Sequence, residues 1–570
     1  MNKTALVVRR IISKQGMVAS TEVDIKSNLL RDVLLEIWNG VEGLQLNKTP
    51  PMINPELLFH SLPSLTKRLA AEDAKDVPDK ALIHDLGCAL EFINEDFGRA
   101  MASLASLSEH DEITFDLVWA LFPPHTIAFT KDNMLKEAQA MRFLSGSYEK
   151  RQDGTSYYSM KLQMISHDGQ ELGWGDSSLE INGFEGAKKV HHLSCFPLSV
   201  HPEEDTTRAQ LIQRGRNYVQ LLETSCKEYN GTAITEDRKI VIRGNYKTVR
   251  FYARGRIMLD PVTFRQQNTY SDLLSPYVSV PAKAESLTEN ELLLCSHCML
   301  GFSFAQKKWG VFAISKVSDV HWNASAFDKL VMDLKKRDLV HSLVKSHRND
   351  GAQFDDIVQG KGKGLVGLLS GSPGVGKTLT AEVVSEVTQR PLYMVSAGEL
   401  GTRVDEVDER LEMVLEITRR WGCLLLIDEA DVFLQKRDGL DLKRNSLVSI
   451  FLRRLEYFQG ILIMTTNRKG SIDNAFESRI HFKLHYDDLD ETSRAAVWTN
   501  CLDSGPPQMA KPNFSEEDIK GLAKLKLNGR QIKNAAACAF SIAMEDGKPL
   551  TIEGIRMILD IVVEDVQEGN

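Results

Sequence analysis

No stretch of the 570-residue chain approaches the roughly 20 apolar residues that a helix needs to cross a bilayer, so the chain reads as soluble. Cysteine is sparse as well. Eight are scattered along the whole length with no signal peptide ahead of them, which excludes a disulfide-stapled scaffold and points to a reducing, intracellular compartment, most simply the cytoplasm. Positive charge is not in excess: 69 Lys and Arg against 78 Asp and Glu leave a net charge of −9, so the chain as a whole lacks the footprint of a nucleic-acid binder. A hydrophobic share of 42% and a charged share of 26% exclude a largely disordered protein. The length suits about three to four domains at roughly 150 residues each.

What is present is organised around Gly371-Ser372-Pro373-Gly374-Val375-Gly376-Lys377-Thr378. This fits the phosphate-loop pattern G-x-x-x-x-G-K-[ST], and it follows an apolar run of strand length, Leu365 to Leu369. The glycines let the backbone curl so that successive N–H groups point at a polyphosphate, which the N-terminus of the next helix also favours. Lys377 is then placed for the β- and γ-phosphates of ATP, and the Thr378 hydroxyl for Mg²⁺. Four further strand-like runs follow, at 392–396, 423–428, 461–466 and 481–485, with helical patterns between them. Such alternation predicts a parallel five-stranded α/β sheet covered on both faces. The third run ends in Asp428-Glu429-Ala430-Asp431, bringing two carboxylates to the sheet end where ligands bind. Asp428 suits Mg²⁺ held through water, and Glu429 suits a general base. Asn467 ends the next run and can position the same water. Arg479 precedes the fifth, and Arg530 begins a later helix. Alone, each of these reads as a cap or a surface ion pair; in this order they read as one site.

Ahead of the phosphate loop the signals are weaker. Lys3, Arg9, Arg10 and Lys14 precede the first acid, Glu22, as in a mitochondrial presequence. The alternation from Ala5 to Ile12, a turn at Gln15-Gly16 and the run Val18 to Val23 make a β-hairpin the preferred reading. Helical patterns follow at 29–38, 55–69 and 81–107, then the apolar run Ile113 to Phe122, closed by Pro123-Pro124. Residues 138–275 carry strand-like runs at 157–165, 178–181, 239–242 and 249–258 and one helix-like insert near 208–222, an α+β accessory domain. Within it, Arg238, Lys239, Arg243, Lys247, Arg250, Arg254 and Arg256 alternate with Tyr246, Phe251 and Tyr252. Such a ribbon could hold nucleic acid, but a solvated strand face is preferred. Cys295-Ser296-His297-Cys298 lacks a second ligand pair for zinc and sits in an apolar run, so it reads as a buried strand. Neither His191-His192 nor the His341 and His347 pair has metal-ligand spacing. A helix is expected over 326–345, leading toward Phe354-Asp355-Asp356-Ile357.

The ordered set from Gly371 to Arg530 resembles the AAA ATPases, with Walker A at 371–378, Walker B at 424–429, sensor 1 at Asn467, an arginine finger at Arg479 and sensor 2 at Arg530. Short stretches at 115–124, 445–449, 455–457 and 528–531 also resemble a filamentous-fungal group with a domain of unknown function before the ATPase. The resemblance implies a C-terminal helical lid, ATP with Mg²⁺ as cofactors, and a homo-oligomer, a hexamer, in which Arg479 completes the neighbour's site. The expected domains are 1–110, a hairpin and helical region; 111–345, the accessory domain; 350–488, the ATPase core; and 489–570, the lid, with helices at 494–501, 515–525, 530–544 and 552–566. Two departures stand out. The segment 397–402 lacks the aromatic residue that threading members carry, and the usual arginine pair is reduced to Arg479. The expected function is a ring-forming remodelling ATPase acting on an unidentified macromolecular client. The alternative is a nucleotide-gated scaffold with little turnover. A helicase reading of Asp428-Glu429-Ala430-Asp431 finds no second recombinase-like domain after residue 490.

Overall fold

The chain folds into two units, residues 1–318 and 319–570. The structure is a computed structural model that describes residues 4–12, 18–41, 44–242, 245–274, 276–346, 364–435, 442–468, 472–506, 509, 512 and 514–567. The Gln15-Gly16 turn, Arg243, His347 and the segment Phe354 to Ile357 lie outside the described residues. Among the described residues no helix is long and apolar enough to cross a membrane.

The first unit is rich in antiparallel strands. The hairpin Leu6–Ile12 and Val18–Ile25 is joined by Met52–Ile53. It packs with the helices Asn28–Ile37, Pro55–His60, Leu62–Asp73 and Lys80–Ser108 around Leu30, Leu34, Leu58, Leu65, Leu86 and Ile93. A six-stranded sheet follows, built on Ala138–Lys150, Ser156–His167 and Leu172–Asn182. A five-stranded sheet contains the long hairpin Ser225–Ile242 and Asn245–Leu259. The apolar run 113–122 divides into a short strand, Glu112–Thr114, and a 3₁₀ turn, Phe115–Leu121.

In the second unit the strands are β1 (Leu365–Gly371), β2 (Leu392–Ser396), β3 (Leu424–Asp428), β4 (Ile461–Thr466) and β5 (Phe482–Tyr486). All pair in parallel, in the spatial order β2-β3-β4-β1-β5. Such a sheet must be covered on both faces. Leu365, Leu369, Leu424, Leu426, Ile461 and Ile463 lie in one buried layer with Ala381 and Val384, while Leu425, Ile427, Leu462 and Met464, of opposite parity, are buried too. The helices that matter for the site are α1 (Lys377–Thr388), α2 (Val404–Arg420), α3 (Leu442–Glu456), and the C-terminal group α4 (Glu491–Asp503), α5 (Glu516–Ala523), α6 (Gly529–Glu545) and α7 (Ile552–Gln567). The stretch expected to be one helix over 326–345 divides into a turn at Ala326–Lys329 and a helix at Leu334–Ser346. Asp333 causes the break, because its carboxylate accepts from the N–H groups of Lys335 and Lys336 at 2.9 and 3.2 Å and starts the helix anew. That helix lays Val340 and Val344 against the sheet core.

Candidate active site

The loop between β1 and α1 can turn as it does because Gly374 and Gly376 hold φ of +78° and +101°, values that residues with a Cβ rarely adopt. Gly376 is the N-cap of α1, and no side chain caps that helix start. The orphan N–H groups of a helix N-terminus are the natural seat of an anion. Lys377 is buried at the base of this loop, where its Nζ donates to the carbonyls of Gly371 and Ser372, both at 2.8 Å, and to Asn467 Oδ1 at 2.9 Å. Burial draws its ammonium below the ordinary lysine value and Arg530 adds to the pull, while Asp428, Asp431 and Glu429 oppose it. A bound polyphosphate would reverse that pull.

Thr378, in the first turn of α1, donates from Oγ1 to both oxygens of Asp428, at 3.2 and 3.3 Å. The end of β3 therefore meets the start of α1. Glu429 follows directly, exposed and with a left-handed φ of +54°. Two threonines that close β4 engage the acidic segment: Thr465 bonds Asp428 and Glu429, and Thr466 bonds Asp431. From the other side, α6 reaches the loop through the Gly529 N–H, which donates to the Gly374 carbonyl at 2.9 Å. Asn528 caps α6 in a reciprocal capping box with Gln531.

The structure thus gathers Gly371 to Thr378, Asp428, Glu429, Asn467 and, through its electrostatic effect on Lys377, Arg530. Arg479 is held elsewhere. Its guanidinium bonds the Ala475 carbonyl at 2.9 Å, Ser478 Oγ at 3.4 Å and Glu456, the last residue of α3, at 3.1 Å. The motif reading passes over Thr465, Thr466 and Asn528. Their only signal is position: two hydroxyls ending an apolar strand, and an Asn before a helix.

Two other features read in the sequence belong to the first unit. In the long hairpin of the first unit, Arg256 lies opposite Glu228 and Lys247 opposite Asp237 in the strand register. Arg238 bonds Asn268, and Arg250 bonds the Asn133 carbonyl. Burial pushes the thiol of Cys295 up to about 12 and that of Cys298 to about 11. Among the described residues no group of three or more His, Cys, Asp and Glu could hold a metal ion.

A family model described as "ATPase family associated with various cellular activities (AAA)" matches residues 367–487, and a model described as "Domain of unknown function (DUF7025)" matches residues 103–202. The chain is similar to an uncharacterized AAA family ATPase of Sinorhizobium fredii, 32% identical over 127 residues that cover 21% of this chain and 38% of that protein. It is also similar to the ATPase family AAA domain-containing protein FIGL1 of Arabidopsis thaliana, 30% identical over 159 residues, 26% of this chain and 23% of that one. Spastin of Xenopus laevis is 28% identical over 196 residues, 30% of this chain and 33% of that one. The chain therefore spans between 23% and 38% of the length of these relatives. With the phosphate loop inside the matched segment, the conclusion is that this chain carries an AAA ATPase domain at residues 367–487, preceded by a domain of unknown function at residues 103–202.

Proposed function

We propose that the chain is a Mg²⁺-dependent ATPase that assembles into a homo-oligomeric ring, a hexamer, and couples hydrolysis to remodelling of a macromolecular client held by the region before the ATPase core. The observation that carries this reading is the clustering of Lys377 with Asn467 and of Thr378 with Asp428 at the C-terminal ends of β1, β3 and β4. Lys377 and the loop amides would hold the phosphates, and Glu429 would take the proton from the attacking water that Asn467 orients. The Thr378 hydroxyl would be a hard oxygen donor to Mg²⁺, and Asp428 would hold the ion through water. When bound, the ion would neutralise charge developing on the phosphates. The C-terminal helices α4 to α7 would act as the lid, with Arg530 facing the nucleotide.

Arg479 supports the shared-site part of this reading, because its partners Ala475, Ser478 and Glu456 all lie outside the phosphate loop of its own subunit. Its charge would serve the neighbour's γ-phosphate. The test is the ATPase rate per subunit against protein concentration, for the unmodified protein and for Arg479→Ala. The rate should climb with concentration and fall by about 10³ to 10⁵ in the variant. A flat rate that ignores Arg479 would remove the ring and leave each subunit working alone.

A further inference from the structure

We infer that Thr465 is a positioning residue for hydrolysis, setting the direction of Glu429 and holding Asp428. The inference rests on the reading of Glu429 as the base, and it begins from a chemical oddity of β4. Four apolar residues, Ile461 to Met464, lead into Thr465 and Thr466, which are 1% and 2% exposed. A buried hydroxyl needs partners. Those of the Thr465 hydroxyl are the last residue of β3, Asp428, and the residue after it, Glu429.

The parallel register aligns Ile427 with Met464, so Asp428 and Thr465 emerge from the sheet side by side. Thr465 Oγ1 accepts from the Glu429 N–H at 2.9 Å and donates to Asp428 Oδ1. Its carbonyl accepts from the Ala430 N–H at 2.9 Å. One residue thereby ties down three in succession. The middle one, Glu429, has a φ of +54°, which a side chain with a Cβ adopts reluctantly. A left-handed residue at the end of a strand turns its side chain off the strand's direction, and the bond from its own N–H to Thr465 holds that turn. Backbone departures of this kind persist only where neighbours over-determine them. Thr378 also bonds Asp428, but Thr378 is the residue assigned to the metal. Thr465 is therefore the hydroxyl that can hold Asp428 whether or not nucleotide is present.

Valine has the shape of threonine without the hydroxyl, and serine keeps the hydroxyl without the methyl. We would measure kcat, KM and nucleotide affinity with Mg-ATP for full-length Thr465→Val, Thr465→Ser and Glu429→Gln, and amide hydrogen exchange over 428–430 in the nucleotide-free protein. Thr465→Val should lower kcat by about 10²-fold while KM stays within about threefold. Exchange at Glu429 should rise by up to about tenfold. Thr465→Ser should keep both near the unmodified values. Thr465→Ala, which also removes the hydroxyl, gives the comparison against Thr465→Ser if the valine variant does not fold. An unchanged kcat in Thr465→Val, an equal loss in Thr465→Ser, or a KM that rises with the fall in kcat would each overturn the inference. If Glu429→Gln itself turns over at the normal rate, the base assignment fails and this inference with it. If Glu429→Gln is inactive and Thr465→Val is active, only the role of Thr465 is lost.

Discussion

Lys377 illustrates how a residue can be charged, buried and still economical to hold. Its three N–H donors have three acceptors, Gly371 O, Ser372 O and Asn467 Oδ1, so the ammonium is hydrogen-bonded throughout. None of those acceptors is anionic, and burial leaves the group below its ordinary pKa. A polyphosphate is the partner it lacks. Lys377→Ala should therefore remove nucleotide binding, read as loss of a fluorescent ATP analogue's signal; binding within about tenfold of the unmodified protein would contradict the assignment. Glu429 is exposed and close enough to influence Lys377, yet it makes none of the bonds that hold the loop. Glu429→Gln should bind ATP normally and turn over about 10² to 10³ more slowly. A variant that loses binding and turnover together would make Glu429 a structural residue instead.

At the scale of elements, the contact that ties α6 to the phosphate loop is the one most open to test. A Cβ built on Gly374 would lie 2.7 Å from Asn528 Oδ1 and 2.8 Å from Asn528 Cγ, and the φ there is +78°. Gly374→Ala must either displace the α6 cap or strain the loop, at about 1–3 kcal/mol. The expected outcome is weaker ATP-analogue binding together with faster proteolysis within 491–567; unchanged binding and protection would mean that α6 and the loop are not coupled. None of this was legible in the sequence, because Gly374 reads equally well as a glycine required by the loop alone. The three inner strands of the ATPase sheet, β1, β3 and β4, were legible as buried apolar runs, whereas the edge strands β2 and β5 alternate, with Met394 and Lys483 exposed. The long hairpin was legible only in part: Lys239–Ile242 and Val249–Met258 read as strands, but polar residues such as Asn230 and Asp237 conceal its first strand, which is stabilised by distant partners such as Val311 and Phe312. Thr465 escaped for the opposite reason. Threonine is at home in a strand, so its hydroxyl drew no notice until the neighbouring strand placed two acidic residues beside it.

At the scale of the whole molecule, the first unit carries a sensitivity to acid that its composition does not announce. His60 packs edge-on against Trp119, and burial lowers its pKa from 6.5 to about 4. Burial likewise depresses His167 and His297, all within residues 1–318. Above the unfolded value of 6.5 the imidazole of His60 is neutral in both states and contributes nothing to the pH dependence. Between 6.5 and about 4 the unfolded chain takes up a proton that the folded chain refuses, so stability falls as the pH falls through that window. Below about 4 the folded group protonates too, and its share of the slope ends. Lowered carboxylates such as Asp24 and Asp168 then take over, losing their contribution as pH falls below their ordinary value of 3.8. Hydrogen exchange on the full chain at pH values across the histidine window, corrected for intrinsic rates, should show peptides around His60 and His297 opening as the solution is acidified. His60→Gln should flatten the dependence around Trp119 while leaving the peptides around His297 as they were. Equal protection at both ends of the window would mean that the imidazoles reach solvent when protonated, and that burial at His60 is not what sets its charge.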